Sequence, residues 1–172
     1  MARLPGTDGT GEIAERIRDR RGGDLRPVDR MLLHSPQLAD GWNSLLGAIR
    51  QRTALPAAVR ELVILRIAVL NRAEYEWDAH ERDARRAGLD DAQLAAIRDE
   101  NPGRHPALDD RQRRVIAYTD TMSTRVQVPD AVFDALRTDF TEAELVELTA
   151  TIAAYAMESR FLVALDVDLP PV

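Results

Sequence analysis

Residues 59–70, Val59-Arg60-Glu61-Leu62-Val63-Ile64-Leu65-Arg66-Ile67-Ala68-Val69-Leu70, are apolar apart from Arg60, Glu61 and Arg66. A helix that is hydrophobic nearly all round belongs at the centre of a bundle. Leu55-Pro56 opens it, and Asn71-Arg72 marks a change of direction. A second helix is expected over Ala73–Ala87, with Gly88 placed to end it in the left-handed conformation that glycine adopts without strain.

On a wheel of about 100° per residue, Ala73, Glu76, Trp77, His80, Ala84 and Ala87 share one arc. Glu74, Asp78, Glu81, Arg82, Arg85 and Arg86 lie outside it. The apolar face therefore carries a carboxylate and an imidazole, and these are i, i+4 partners. Such groups cost desolvation energy unless they are paired. Glu61 shares a stripe with Leu65 and Ala68 on the preceding helix. Helices joined by so short a connection pack together, which would bring Glu61 towards Glu76 and His80. Carboxylates crowded in a poorly solvated pocket raise one another's pKa and that of a neighbouring histidine, the condition for acid–base chemistry near neutral pH. A structural reading stands beside this one. Glu61 would favour the dipole at the start of its helix, and Glu76 with His80 would form a hydrogen-bonded packing pair.

Outward from this pair of helices the pattern stays helical. Helices are expected over Glu12–Arg21, from Pro27 through Leu33, and from Ser35-Pro36 to about Arg52. The last of these has Leu38, Trp42, Leu45, Leu46 and Ile49 at helical spacing, with Trp42 read as core. Another is expected over Asp90–Asp99, followed by a loop over Asn101–Leu108. Asp109 with Gln112, and Thr141 with Glu144, have the spacing of capping boxes. They open helices carrying Val115 to Met122 and running toward Leu165, with Met157 read as core. Pro129 opens a short helix to about Arg137, and Asp166–Val172, with Pro170-Pro171, cannot stay helical. No β-alternation, glycine-rich phosphate loop or repeat interrupts the pattern. The fold class is all-α, with seven or eight helices. Residues 1–11, with Gly6, Gly9 and Gly11, read as a flexible tail and residues 12–172 as one domain.

The net charge is −6, spread along the chain, and all 23 basic residues are arginine. No basic block offers a nucleic-acid surface. The absence of cysteine excludes disulfides, thiolate ligands and thiol nucleophiles. The N-terminus lacks a secretory apolar stretch and uninterrupted apolar runs are short, so a cytoplasmic location without membrane attachment is expected. His34 and His105 fall in or beside loops. The Glu76–His80 spacing permits a metal ligand pair without forming a metal motif, and no metal is assigned.

The stretch Arg60 to Arg66, then Asn71-Arg72-Ala73-Glu74-Tyr75-Glu76-Trp77-Asp78-Ala79-His80, then Ala84-Arg85-Arg86-Ala87-Gly88-Leu89, resembles the carboxymuconolactone decarboxylase family. That family shares its fold with alkyl hydroperoxidase D. The resemblance extends to Tyr155-Ala156-Met157 and Arg160–Leu165. In the hydroperoxidase branch a Cys-x-x-Cys pair works with a glutamate and a histidine. Glu61 and His80 match those two residues, while Ala73 and Glu76 occupy the cysteine positions. Thiol-based peroxide reduction is thereby excluded.

The decarboxylase branch also lacks the cysteine pair. Its resemblance implies a cofactor-independent lyase acting on a small cyclic acid or lactone. His80 would be the proton donor, Glu76 would orient it or stabilise its charged form, and Glu61 would complete the relay. Tyr75, Trp77 and Arg72 become candidates for substrate binding, although Tyr75 lies on the far side of the wheel. Arg66 and Arg160 are further cations that could meet a carboxylate. Related lactone-opening, isomerising or biosynthetic tailoring chemistry fits the same fold, as does a non-catalytic binding or assembly role. The resemblance also implies a homo-oligomer, trimeric or hexameric, for which the apolar C-terminal helix offers surface.

Overall fold

The computed structural model describes residues 2–167. Pro170 and Pro171, expected to end the last helix, lie outside the described residues. Nine α-helices and no strands are found among those described, so the chain is all-α. It divides into two compact units, residues 1–53 with 161–172, and residues 54–160.

The first unit begins with residues 2–11, which form no helix but are tethered. Thr7 N–H donates to Arg30 O at 3.1 Å, and His34 Nε2 meets Pro5 O at 2.7 Å. Helix α1 (Glu12–Arg21) buries Ala14 and Ile17. Helix α2 (Pro27–Leu32) starts with proline at N1, where its missing N–H costs nothing. Helix α3 (Pro36–Gln51) crosses close to α1, because a Cβ at Gly47 would lie 3.0 Å from Arg20 Cδ. Only part of its apolar stripe is covered. Ala39, Leu46 and Ile49 are buried, whereas Leu38 and Leu45 are 50% and 45% exposed. Trp42, read as core, is half-buried and packs against Phe161 in a tilted arrangement, with centroids 5.2 Å apart.

The second unit is built round helix α4 (Ala57–Asn71), in which every residue from Glu61 to Ala68 is buried. The central-helix expectation holds. Arg72 caps α4 with φ 54°, a left-handed conformation that costs an arginine roughly 1–2 kcal/mol. Ala73 N–H then bonds back to Ala68 O at 2.8 Å, and helix α5 (Glu74–Arg86) returns along α4. Gly88, with φ 103°, ends α5, while Leu89 N–H reaches back to Ala84 O.

Helix α6 (Asp91–Arg98) and helix α7 (Asp110–Arg125) begin at reciprocal capping boxes, Asp90 with Gln93 and Asp109 with Gln112. A 3-10 turn at Pro102–Arg104 lies inside the expected loop. The helix expected from Pro129 to Arg137 is instead a short α8 (Asp130–Asp134) followed by a 3-10 turn (Ala135–Thr138).

Helix α9 (Glu142–Leu165) opens on the Thr141–Glu144 box, with Thr141 N–H and Oγ1 each donating to Glu144 Oε2 at 2.8 Å. On length and hydropathy alone α9 could cross a bilayer. Half of its most apolar window is buried in the protein, as in a core helix. Met157, expected in the core, is 39% exposed. Within the second unit Glu147 Oε2 accepts from Ala54 N–H and Leu55 N–H, both at 2.9 Å, which ties α9 to the start of α4.

Candidate active site

The three ionisable residues singled out on α4 and α5 meet inside the second unit. Glu61, Glu76 and His80 are each 2% exposed. His80 Nδ1 and Glu61 Oε2 are 2.7 Å apart. A carboxylate can only accept, so with Glu61 ionised the proton of this bond sits on Nδ1. On the other side of the ring, Nε2 lies 3.6 Å from Glu76 Oε2, within ion-pair range but beyond a hydrogen bond. Glu61, nineteen positions back on the neighbouring helix, thus lies closer to the ring than Glu76, four positions back on the same helix.

Helix geometry accounts for this division. The i, i+4 spacing puts Glu76 and His80 on one side of α5 but leaves their separation to side-chain rotation. The tight α4–α5 connection then brings Glu61 over His80 from the facing helix.

Two neighbours had no role in the sequence reading. Tyr155 of α9, buried at 1% exposure, sets its ring perpendicular to the imidazole with centroids 5.3 Å apart. Arg60 Nε contacts Glu61 Oε1 at 3.3 Å. Tyr155 was visible only as part of the family resemblance. Arg60 carried no signal, because adjacent helical residues point about 100° apart.

The remaining candidates fall around the cluster. Tyr75 is buried in spite of its place on the far side of the wheel, since α5 begins in the interior and its first turn is covered on more than one side. Trp77 is buried, with Nε1–H donating to Glu81 Oε2 at 3.0 Å and the Arg98 guanidinium 3.7 Å above its ring. Hydrogen bonds from Arg85 and then Trp77 hold the Glu81 carboxyl below its usual range. Arg72 and Arg160 are exposed. Arg66 is committed elsewhere, to Asp120 and two backbone carbonyls. His105 Nδ1 accepts from Ala107 N–H within its own loop. Among the described residues no set of three or more His, Asp or Glu side chains is arranged to hold a metal ion.

An imidazole pinned at one nitrogen, faced by a carboxylate at the other and shielded from water, is suited to moving a proton. Residues 36–101 match the carboxymuconolactone decarboxylase family model, so the resemblance read from the sequence holds, in a chain without cysteine. No curated protein matches the chain by sequence.

Solved structures with the same fold include an uncharacterized peroxidase-related protein of Ralstonia eutropha JMP134 with an alkylhydroperoxidase AhpD core. It has a TM-score of 0.83 and 20% identity over 98% of this chain and 92% of that one. A protein of unknown function from Agrobacterium tumefaciens matches with a TM-score of 0.75 and 21% identity, over 83% of this chain and 97% of its own. The debrominase Bmp8 matches with a TM-score of 0.74 and 16% identity, over 92% of this chain and 84% of its own. The fold is therefore alkyl hydroperoxidase D-like, and it is one that carries enzymes.

Proposed function

We propose that this protein is a cofactor-independent acid–base enzyme of the carboxymuconolactone decarboxylase type, acting on a small cyclic acid or lactone. The observation that carries the proposal is the buried imidazole with a carboxylate on each side, 2.7 Å from Nδ1 and 3.6 Å from Nε2. Two flanking anions favour the protonated ring, which makes Nε2–H an acid on the side of Glu76.

In the proposed reaction the substrate's C–CO₂ bond breaks heterolytically, its electron pair passes into an enolate, and CO₂ departs. His80 Nε2 delivers a proton to the carbon and regains one from water. Glu61 holds the ring throughout, and its negative charge stabilises the imidazolium. Arg72, exposed at the α4–α5 turn, supplies a cation for a substrate carboxylate, and Tyr75 and Trp77 supply aromatic walls on either side of Glu76 in the chain. Without cysteine the thiol chemistry of peroxide reduction has no nucleophile here. The debrominase among the structural neighbours favours a second reading, in which the same acid–base pair serves a different small-ring substrate.

The test is turnover of carboxymuconolactone and related cyclic acids, followed as CO₂ release. The wild-type protein is expected to turn over at least one of them. His80→Gln, which keeps a polar side chain opposite Glu61, is expected to lose at least about a hundredfold in rate while remaining folded. Wild-type rates in the folded variant would remove His80 from the mechanism.

The assembly is proposed to be a homo-oligomer. Leu38 and Leu45 on α3, and Val146, Met157 and Val163 on α9, are large apolar side chains left in water. Light scattering should find a trimer or hexamer, and a stable monomer would reject this.

A further inference from the structure

Glu61 uses both carboxylate oxygens. Oε2 is paired with His80 Nδ1 at 2.7 Å, and Oε1 is contacted by Arg60 Nε at 3.3 Å. The second contact is not one that helix spacing produces, because residues i and i+1 diverge on the helix surface. The Arg60 side chain nevertheless reaches its neighbour and is only 15% exposed. This cation is in direct contact with the buried cluster through Glu61.

We propose that Arg60 is a positioning residue that keeps the proton of the Glu61–His80 pair on the imidazole, so that the ring stands ready as an acid. This rests on the acid–base role given to His80 above. A proton shared between a carboxylate and an imidazole can reside on either. A guanidinium against Oε1 favours the ionised carboxylate, and at low local dielectric that preference is strong. The charges agree. Arg60 and a protonated His80 balance Glu61 and Glu76, so these four residues together are neutral with an imidazolium among them. With Arg60 neutralised the Glu61 carboxylate loses that stabilisation, and taking the ring's proton removes the charge separation between them while leaving the net charge unchanged.

The groups facing the ring include Glu61 from α4, Glu76 from α5 and Tyr155 from α9. At the start of α7, its cap Asp109 and Arg111 reach the same end of α4, lining a cavity of about 150 Å³ with Ala58, Val59 and Leu62.

The sign of the response separates this role from simple proximity. Direct repulsion between guanidinium and imidazolium would make the ring hold its proton more tightly once Arg60 is removed. Action through Glu61 does the reverse.

The experiment is ¹⁵N–¹H correlation of the histidine rings in the full-length protein, over about pH 5 to pH 9. His80 is assigned by the signal absent from His80→Gln. In the wild type both ring nitrogens of His80 should be protonated at neutral pH. Arg60→Gln should lower the ratio of protonated to neutral ring by on the order of tenfold, and Arg60→Lys should restore much of it. Arg60→Met, of similar length, gives the same reading if the glutamine variant does not fold. A ratio that is unchanged or raised in a folded neutral variant overturns the proposal. If the ring responds as expected while no cyclic acid is turned over, the positioning role stands and the decarboxylase reading falls. Turnover with an unresponsive ring does the reverse: the decarboxylase reading stands and the positioning role falls.

Discussion

Helix α4 carries two buried ionisable residues five positions apart, Glu61 and Arg66, and the structure treats them differently. Arg66 is saturated. Its Nε and Nη2 grip the two oxygens of Asp120 at 2.7 and 2.8 Å, and Nη1 donates to Ile97 O and Asp99 O at 2.9 and 3.0 Å. Four of its five N–H donors are thus spent at ordinary hydrogen-bond lengths. They clamp α4 to α7 and to the C-terminal end of α6. The cluster at Glu61 is graded instead, with one short contact to His80, one longer contact from Arg60, and Glu76 held 3.6 Å from the far ring nitrogen. A buried charge with every partner at full strength fixes a helix. One with a loose side retains a proton that can be moved.

The sharpest way to break this comparison is to remove one side of the saturated pair. Asp120→Ala leaves the Arg66 guanidinium buried with only its two carbonyl acceptors. Loss of one partner from a buried ion pair costs about 3–5 kcal/mol. The low end, about 3 kcal/mol, applies here because the Asp120 side chain is 30% exposed and the carbonyls remain. Denaturant unfolding should show that loss, with any catalytic rate per folded molecule unchanged. A loss of catalysis beyond the loss of folded protein would tie Arg66 to the site and erase the distinction.

The two clusters were unequally legible. Glu61, Glu76 and His80 stood out because ionisable side chains on apolar arcs violate the pattern around them, and a wheel suffices to find them. Their convergence followed from the short turn at Asn71-Arg72. Which carboxylate would hold the ring could not be read, since that depends on side-chain rotation across two helices. Arg66 was visible as an interruption of an apolar helix, but Asp120, 54 residues away, had no feature linking it to α4. Arg60 was hidden by the helical spacing itself. The capping boxes at Asp109 and Thr141 were legible because a cap is local and needs only four residues. Met157 was read as core but is exposed, as are Leu38 and Leu45 at helical spacing on α3, because periodicity marks an apolar face without showing whether another element covers it.

A finer test uses a third ion pair, on the same helix α7 as Asp120 but closer to water. Arg114 grips Asp139 through Nε and Nη2 at 2.7 and 3.0 Å, a bidentate geometry like that of Arg66 with Asp120. The Arg114 side chain is 32% exposed, against 5% for Arg66. The hydrogen bond from Arg114 holds the Asp139 carboxyl below its ordinary value. A carboxylate with a lowered folded pKa adds stability above its unfolded pKa, and that contribution is lost as pH falls through the folded value. Asp139→Asn should therefore be slightly less stable than wild type at neutral pH, with the gap closing on acidification. The gap should also shrink in high salt, because water and ions screen an exposed pair. Thermal melts of both proteins across the acid range measure it directly. A gap that persists at low pH and high salt would mean that bidentate geometry, and not burial, sets the strength of these pairs, and the saturation of Arg66 would then owe nothing to its position in the core.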